Sequence, residues 1–194
     1  MGTKGRKRAG TILDSALSVL TSEGHAAFSL RSVAAHAGIR LGHLQYYYRS
    51  KRELLSAVTE RELEHRASAI EGLVGTTGAA HESGLPSWLA GILHTQQDRQ
   101  TIQLFGELRA LAIRDAAIGD LMRGYTTRYW RAIVESLVAA NPGIRRAQAE
   151  RRAALLVSLL EGLMQFRSAE RPAELPLLGL ERELGELTRW LVDP

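Results

Sequence analysis

Between Leu30 and Leu55 the chain reads LRSVAAHAGIRLGHLQYYYRSKRELL. Three consecutive tyrosines, Tyr46, Tyr47 and Tyr48, stand there among Arg31, Arg40, Arg49, Lys51 and Arg52. A guanidinium can grip a phosphate or a guanine edge through paired hydrogen bonds, and an ammonium takes phosphate as a point charge. A phenol ring either packs a core or offers its hydroxyl to a partner. The chemistry on offer is thus recognition of a polyanion. The charge distribution agrees. Residues 1–56 hold nine Lys and Arg against three Asp and Glu, a net +6, so the rest of a chain of formal charge +4 carries −2. A basic end on a mildly acidic body implies a polyanionic partner at that end. On charge alone, the alternative is a solvated basic surface.

The elements that must hold these side chains are helices. Leu13, Ala16, Leu17 and Leu20 recur at helical spacing, with Ile12 and Val19 at the edges of the stripe, and the segment stops at Gly24. Ser29 is the expected N-cap of a short second helix ending at Ala37 and Gly38, and a third is predicted over residues 40–47. Ser50 with Glu53 forms a predicted capping box for a fourth helix carrying Leu54, Leu55, Val58, Leu63 and Ile70. Residues 71–86, EGLVGTTGAAHESGLP, read as a loop. Further helices are predicted after it, including 145–166, with Ala154, Leu155, Leu159, Gly162, Leu163 and Phe166 facing inward. A last helix is predicted over 177–192. No alternating strand pattern occurs, and Pro86, Pro142, Pro172, Pro176 and Pro194 all fall at proposed boundaries or the terminus, so the predicted fold is all-α.

The spacing from Val33 to Tyr47 is that of a helix-turn-helix. Val33 and Ala37 are apolar, Ala34 is small enough for a steep helix crossing, and Gly38 supplies the positive φ of the turn. Ile39 follows, and Leu44 and Tyr47 line the inner face of the second helix. The first 56 residues resemble the DNA-binding domain of the tetracycline-repressor (TetR) family. The resemblance rests on the first helix ending at Gly24, then FSLRSVAAHAGI, and above all LQYYYRSKRELL. The chain departs from the family's usual pattern at His43, Gln45 and Tyr48, where threonine or serine, tyrosine and phenylalanine are common.

The resemblance and the side-chain chemistry together assign expected roles. Arg40, Leu41, Gly42 and Tyr46 are expected to face the major groove. Arg40 takes either guanine O6 and N7 or a phosphate, Leu41 a thymine methyl, and Gly42 permits close backbone approach. Arg31 matches a family position that reaches a base or a phosphate. Ser29, His43, Gln45, Tyr47 and Lys51 are candidate phosphate contacts, Lys51 in a helix first turn that favours anions. Residues 4–8 form an expected mobile basic arm. The three tyrosines must separate at about 100° per residue. Tyr46 is expected toward DNA, Tyr47 between core and backbone, and Tyr48 against the fourth helix.

The expected organisation is a three-helix DNA-binding domain over 1–50 and a helical effector-binding and dimerisation domain over 51–194. The family pairs its last two helices, which implies a homodimer through Leu155, Leu159, Gly162, Leu163, Leu180, Leu184, Leu187 and Leu191; the alternative is that these stripes pack the core. The family also implies a small-molecule effector. Candidate pocket residues are Trp88, Ile92, Phe105, Leu108, Met122, Tyr125, Tyr129, Trp130, Met164 and Phe166, with Glu107, Arg109 and Glu161 either its charged groups or exposed surface. The implied function is a DNA-binding regulator, a repressor released by that effector. An activator, or a helical partner-binding protein without DNA binding, is the alternative.

Other classes find little in the sequence. There is no cysteine, HExxH, phosphate-binding glycine loop or GxSxG, so no catalytic residue, metal site or cofactor is expected. His65, His81 and His94 can converge only through the fold and read as ordinary histidines. No apolar run reaches the ~18 residues of a membrane span, and the basic start lacks the apolar stretch of a signal peptide, so a cytoplasmic protein is expected.

Overall fold

The computed structural model describes residues 3–75, 86–167, 182–184 and 186–187, with side chains from residue 5 onward. Up to residue 167 their regular elements are eight α-helices: α1 (Thr3–Ala27), α2 (Leu30–His36), α3 (Leu41–Tyr47), α4 (Lys51–Val74), α5 (Ser87–Thr95), α6 (Arg99–Ala112), α7 (Ala116–Ala140) and α8 (Arg146–Phe166); residues 182–184 and 186–187 are helical as well. The all-α expectation holds. No helix among the described residues is long and apolar enough to cross a membrane.

The chain forms two compact units. The first comprises Met1–Glu64 and Gln103–Arg123, the second His65–Ile102 and Gly124–Pro194. α4, α6 and α7 each give residues to both. In the first unit α1 packs on α2 and α2 on α3. Its buried side chains include Ile12, Ala16, Val19 and Leu20 of α1, Phe28, Val33, Leu44 of α3, and Leu54 and Val58 of α4. The α6–α7 corner adds Leu104, Phe105, Leu108 and Ile118. Arg61 of α4 ties α1 in place, donating to the Asp14 carboxylate at 2.8 Å and to the Gly10 carbonyl at 3.3 Å. Residues 4–8, expected as a mobile arm, lie instead in the first turns of α1. The Thr11 hydroxyl donates to the Lys7 carbonyl one turn back at 3.1 Å.

The second unit buries Ile70 and Val74 of α4, Trp88, Leu89 and Ile92 of α5, Tyr125, Tyr129 and Ile133 of α7, and one face of α8. Two regions differ from the sequence expectation. Residues 71–74, read as loop, continue α4, because Val74 is buried, Leu73 lies over Gly91 of α5, and Glu71 pairs with Arg128 of α7 at 2.8 Å. The inward face of α8 is Ala149, Ala153, Leu156, Val157, Leu160, Leu163 and Met164. Of the residues expected to face inward, only Leu163 does; Ala154, Leu155, Leu159 and Phe166 are exposed. α8 carries apolar residues on two stripes, and helical spacing alone does not say which one meets its own chain. The predicted last helix lies mostly outside the described residues, as do Leu180 and Leu191. Leu184 is buried and Leu187 exposed.

Candidate nucleic-acid interface

The helix-turn-helix is built by local bonding from α2 to α3. Ser29 caps α2, its hydroxyl accepting from Ser32 N–H at 3.0 Å while the Ser32 hydroxyl accepts from Ser29 N–H at 2.9 Å. This is a capping box with serine in both roles. α2 ends in a Schellman motif: Ile39 N–H donates to Ala34 C=O at 3.0 Å and Gly38 N–H to Ala35 C=O at 3.1 Å. Gly38 sits at φ 64°, a left-handed value that costs glycine little and other residues more. Arg40 then precedes α3 with extended backbone.

α3 has one buried side chain, Leu44. Arg40, Gly42, His43, Gln45 and Tyr46 are exposed, Tyr46 to 80%, while Leu41 and Tyr47 are half-buried. Arg31 of α2 is exposed as well, and Ser29 is half-buried with its hydroxyl engaged in the cap. A Cβ at Gly42 would meet nothing within 4 Å, so packing inside the protein does not demand glycine there. The Tyr47 ring is held between its neighbours, 5.8 Å from His43 and edge-on to Tyr46 at 5.2 Å. Tyr48 is half-buried. Burial raises its hydroxyl above the usual tyrosine value, Arg61 opposing and Glu53 adding to the shift. Both modulating charges belong to α4, the side on which Tyr48 was expected. The structure thus brings an exposed polar and aromatic surface together on α3, with Arg31 on the preceding helix.

Lys51 has a second engagement. Its Nζ donates to the His25 carbonyl at 3.1 Å. Burial lowers the His25 imidazole below the usual histidine value, and the Lys51 charge adds to this while Glu107 opposes it. An ammonium has three donors, so a tether to His25 leaves two for phosphate. Lys51→Ala is expected to weaken binding to all DNA sequences and to reduce the slope of log affinity against log salt by roughly one unit. Weaker binding at unchanged slope would leave the tether as its sole role.

Sequence reasoning missed the anchors behind this surface. Glu107, considered as a pocket or surface charge, is half-buried and accepts from His25 N–H at 3.1 Å. Arg52 pairs at 3.7 Å with Asp115, which also caps α7 through Ala117 N–H at 2.9 Å. These partners are far apart in sequence, and no local pattern marks them.

The pocket candidates fall in both units. Phe105 and Leu108 are buried in the first, where Met122 is half-buried. In the second, Trp88, Ile92, Tyr125, Tyr129 and Met164 are buried, with the two tyrosine rings 6.1 Å apart. Trp130 donates its indole N–H to the Glu150 carbonyl at 3.0 Å. Phe166 is corrected: it lies on the outward stripe of α8, exposed because its turn of the helix faces away from the unit's core.

A short capped helix, a glycine turn and a second helix presenting its polar face define a helix-turn-helix DNA-binding protein. The chain belongs to the TetR family of bacterial transcriptional regulators. The family model for bacterial regulatory proteins of the tetR family matches residues 12–58, and that for the C-terminal part of BetI-type transcriptional repressors matches residues 85–177. A relative, an uncharacterised HTH-type transcriptional regulator from the dhlA 5′ region of Xanthobacter autotrophicus, is 29% identical over 161 residues, covering 82% of this chain and 77% of its own. A TetR-family regulator of Mesorhizobium loti superposes with a TM-score of 0.80 at 16% identity, covering 98% of each chain. The multidrug binding protein EbrR superposes with a TM-score of 0.64 at 23% identity, covering 96% of each. At these identities the solved structures speak to the fold. The protein is a DNA-binding transcriptional regulator.

Proposed function

We propose that the protein is a ligand-responsive repressor that binds a palindromic operator as a homodimer in the cytoplasm and is released by a small molecule. In this reading residues 1–50 read DNA, through Ser29, Arg31, Arg40, Leu41, Gly42, His43, Gln45, Tyr46 and Tyr47, with Lys51 at the start of α4 adding a phosphate contact. Residues 51–194 pair the subunits and take the effector. The observation that carries the dimer is the outward stripe of α8: Leu155 is 54% exposed, Leu159 39% and Phe166 52%. Gly162 lies between them in the same spacing, with open space where its Cβ would stand. A contiguous apolar stripe of this kind marks an interaction surface. Pairing supplies what one seven-residue recognition helix lacks, a second half-site about 34–36 Å away on a two-fold operator.

For the effector, support comes from the second unit. The Tyr129 hydroxyl is buried and has no hydrogen-bond partner among the described residues. Burial holds it well above the usual tyrosine value, with Tyr125 and Glu161 adding to the shift. A buried phenol that stays protonated is a donor ready for a guest's acceptor atom. Trp88, Ile92 and Met164, buried in the same unit, are the apolar side chains this reading assigns to the guest. An effector that binds the DNA-free arrangement better than the DNA-bound one shifts the population off the operator. The repressor reading is supported by the match to the repressor-type C-terminal model. The test is transcription from a promoter carrying the operator, with and without the protein. Removal of the protein is expected to raise transcription; a fall would make it an activator.

A further inference from the structure

We infer that Glu107 is a positioning residue for DNA binding: from α6 it holds the peptide at the end of α1 from which the helix-turn-helix departs. Gly24 leaves helical geometry at φ 76° and ψ 171°. That break turns the next amide out of the helical ladder, and His25 N–H donates to Glu107 Oε2 at 3.1 Å instead. The other carboxylate oxygen lies 3.1 Å from where a Cβ on residue 24 would stand. The backbone angle favours glycine at 24, and a Cβ there would also press on Glu107 Oε1, which would have to give by a few tenths of an ångström. The His25 carbonyl is held in turn by Lys51 Nζ at 3.1 Å and by Phe28 N–H at 3.3 Å. Phe28 is buried and leads directly to the cap of α2 at Ser29.

One residue, His25, thus receives α6 on its amide and α4 on its carbonyl. The corner that supplies Glu107 has a second tie, through Asp115 to Arg52. Neither acidic side chain belongs to the exposed face of α3, and a carboxylate has no use against phosphate. Their contribution is to fix the direction in which α2 and α3 leave α1. Side chains that read DNA need their supporting shell held to a fraction of an ångström. An amide freed by a helix break requires an acceptor, and a charged acceptor makes the stronger bond.

The test compares the full-length protein with Glu107→Ala, Glu107→Gln and Glu107→Asp on a duplex selected from random sequence by the parent protein. Glutamine keeps an acceptor oxygen at the same reach and loses the charge; aspartate keeps the charge and falls short. Glu107→Ala is expected to weaken binding about tenfold, the scale of one lost charge-assisted hydrogen bond. The salt slope should not change, since no phosphate contact is removed. Glu107→Gln is expected to bind within about twofold of the parent, and Glu107→Asp to fall below it. Should the alanine variant fail to fold, the glutamine-over-aspartate order still decides. Parent-like binding by Glu107→Ala, a changed salt slope, or aspartate outperforming glutamine would each overturn the assignment.

Discussion

Leu159→Glu is expected to yield a folded monomer whose operator affinity is lower by about two orders of magnitude or more, the avidity lost when two linked half-site contacts become one. Leu159 lies in the centre of the exposed stripe of α8, between Leu155 and Phe166. In the separate subunit a glutamate there meets solvent, so the fold should lose about 0.5 kcal/mol at most. In an isologous interface the same change enters twice, because each copy presents the same patch. Two carboxylates would be brought into an apolar contact with no cation to receive them, at several kcal/mol each. Sedimentation of the variant at micromolar concentration, with its thermal melt, checks the first half. A duplex with one half-site checks the second: the variant should bind it about as well as the parent protein does. A variant that sediments as a dimer would remove the stripe from the interface.

Arg40→Ala should act on sequence preference rather than on assembly. Arg40 is exposed at the entrance to α3, and its side chain makes no cap hydrogen bond. A guanidinium so placed can reach guanine O6 and N7 together, worth about 1–3 kcal/mol of discrimination at that base pair in each half-site. Truncation is expected to erase preference at one symmetric pair of positions in a selected consensus, while affinity for unrelated DNA falls only slightly. The contrast with Lys51→Ala is diagnostic: that change should weaken all sequences alike. An unaltered consensus from the Arg40 variant would assign its guanidinium to phosphate.

The parts of the interface that were legible in the sequence are those made by neighbours. Gly38 announces a positive φ because the turn lies between two apolar helices four residues apart, and Ser29 announces a cap because its partner is three residues on. The different exposures of Tyr46 and Tyr47 follow from helical rotation, Tyr48 leaves the helix as its extended C-cap, and the structure leaves Tyr46 most open. What escaped was non-local. Glu107 meets His25 across 82 positions and Lys51 meets it across 26, and nothing around any of the three signals the other. α8 was legible as a helix but not in its facing. Leu155, Leu159 and Phe166 are as apolar as Leu156, Leu160 and Leu163, and only tertiary packing chooses between the stripes.

The tie between Glu107 and His25 bears on how such regulators can be recombined. Exchanging reading heads between bodies by joining chains near residue 50 treats the head as a cassette. Here the first compact unit takes Gln103–Arg123 along with Met1–Glu64. A graft ending at residue 50 would leave behind the carboxylate that satisfies the His25 amide, the Lys51 ammonium on the His25 carbonyl, and the apolar side chains of Leu104, Phe105 and Leu108 that are buried in the same unit. A chimera carrying this chain's head should keep its specificity intact only if this chain's own 103–123 corner replaces the recipient's equivalent. The same dependence would slow the exchange of heads among relatives in evolution, since a productive crossover must bring along two separate stretches of gene.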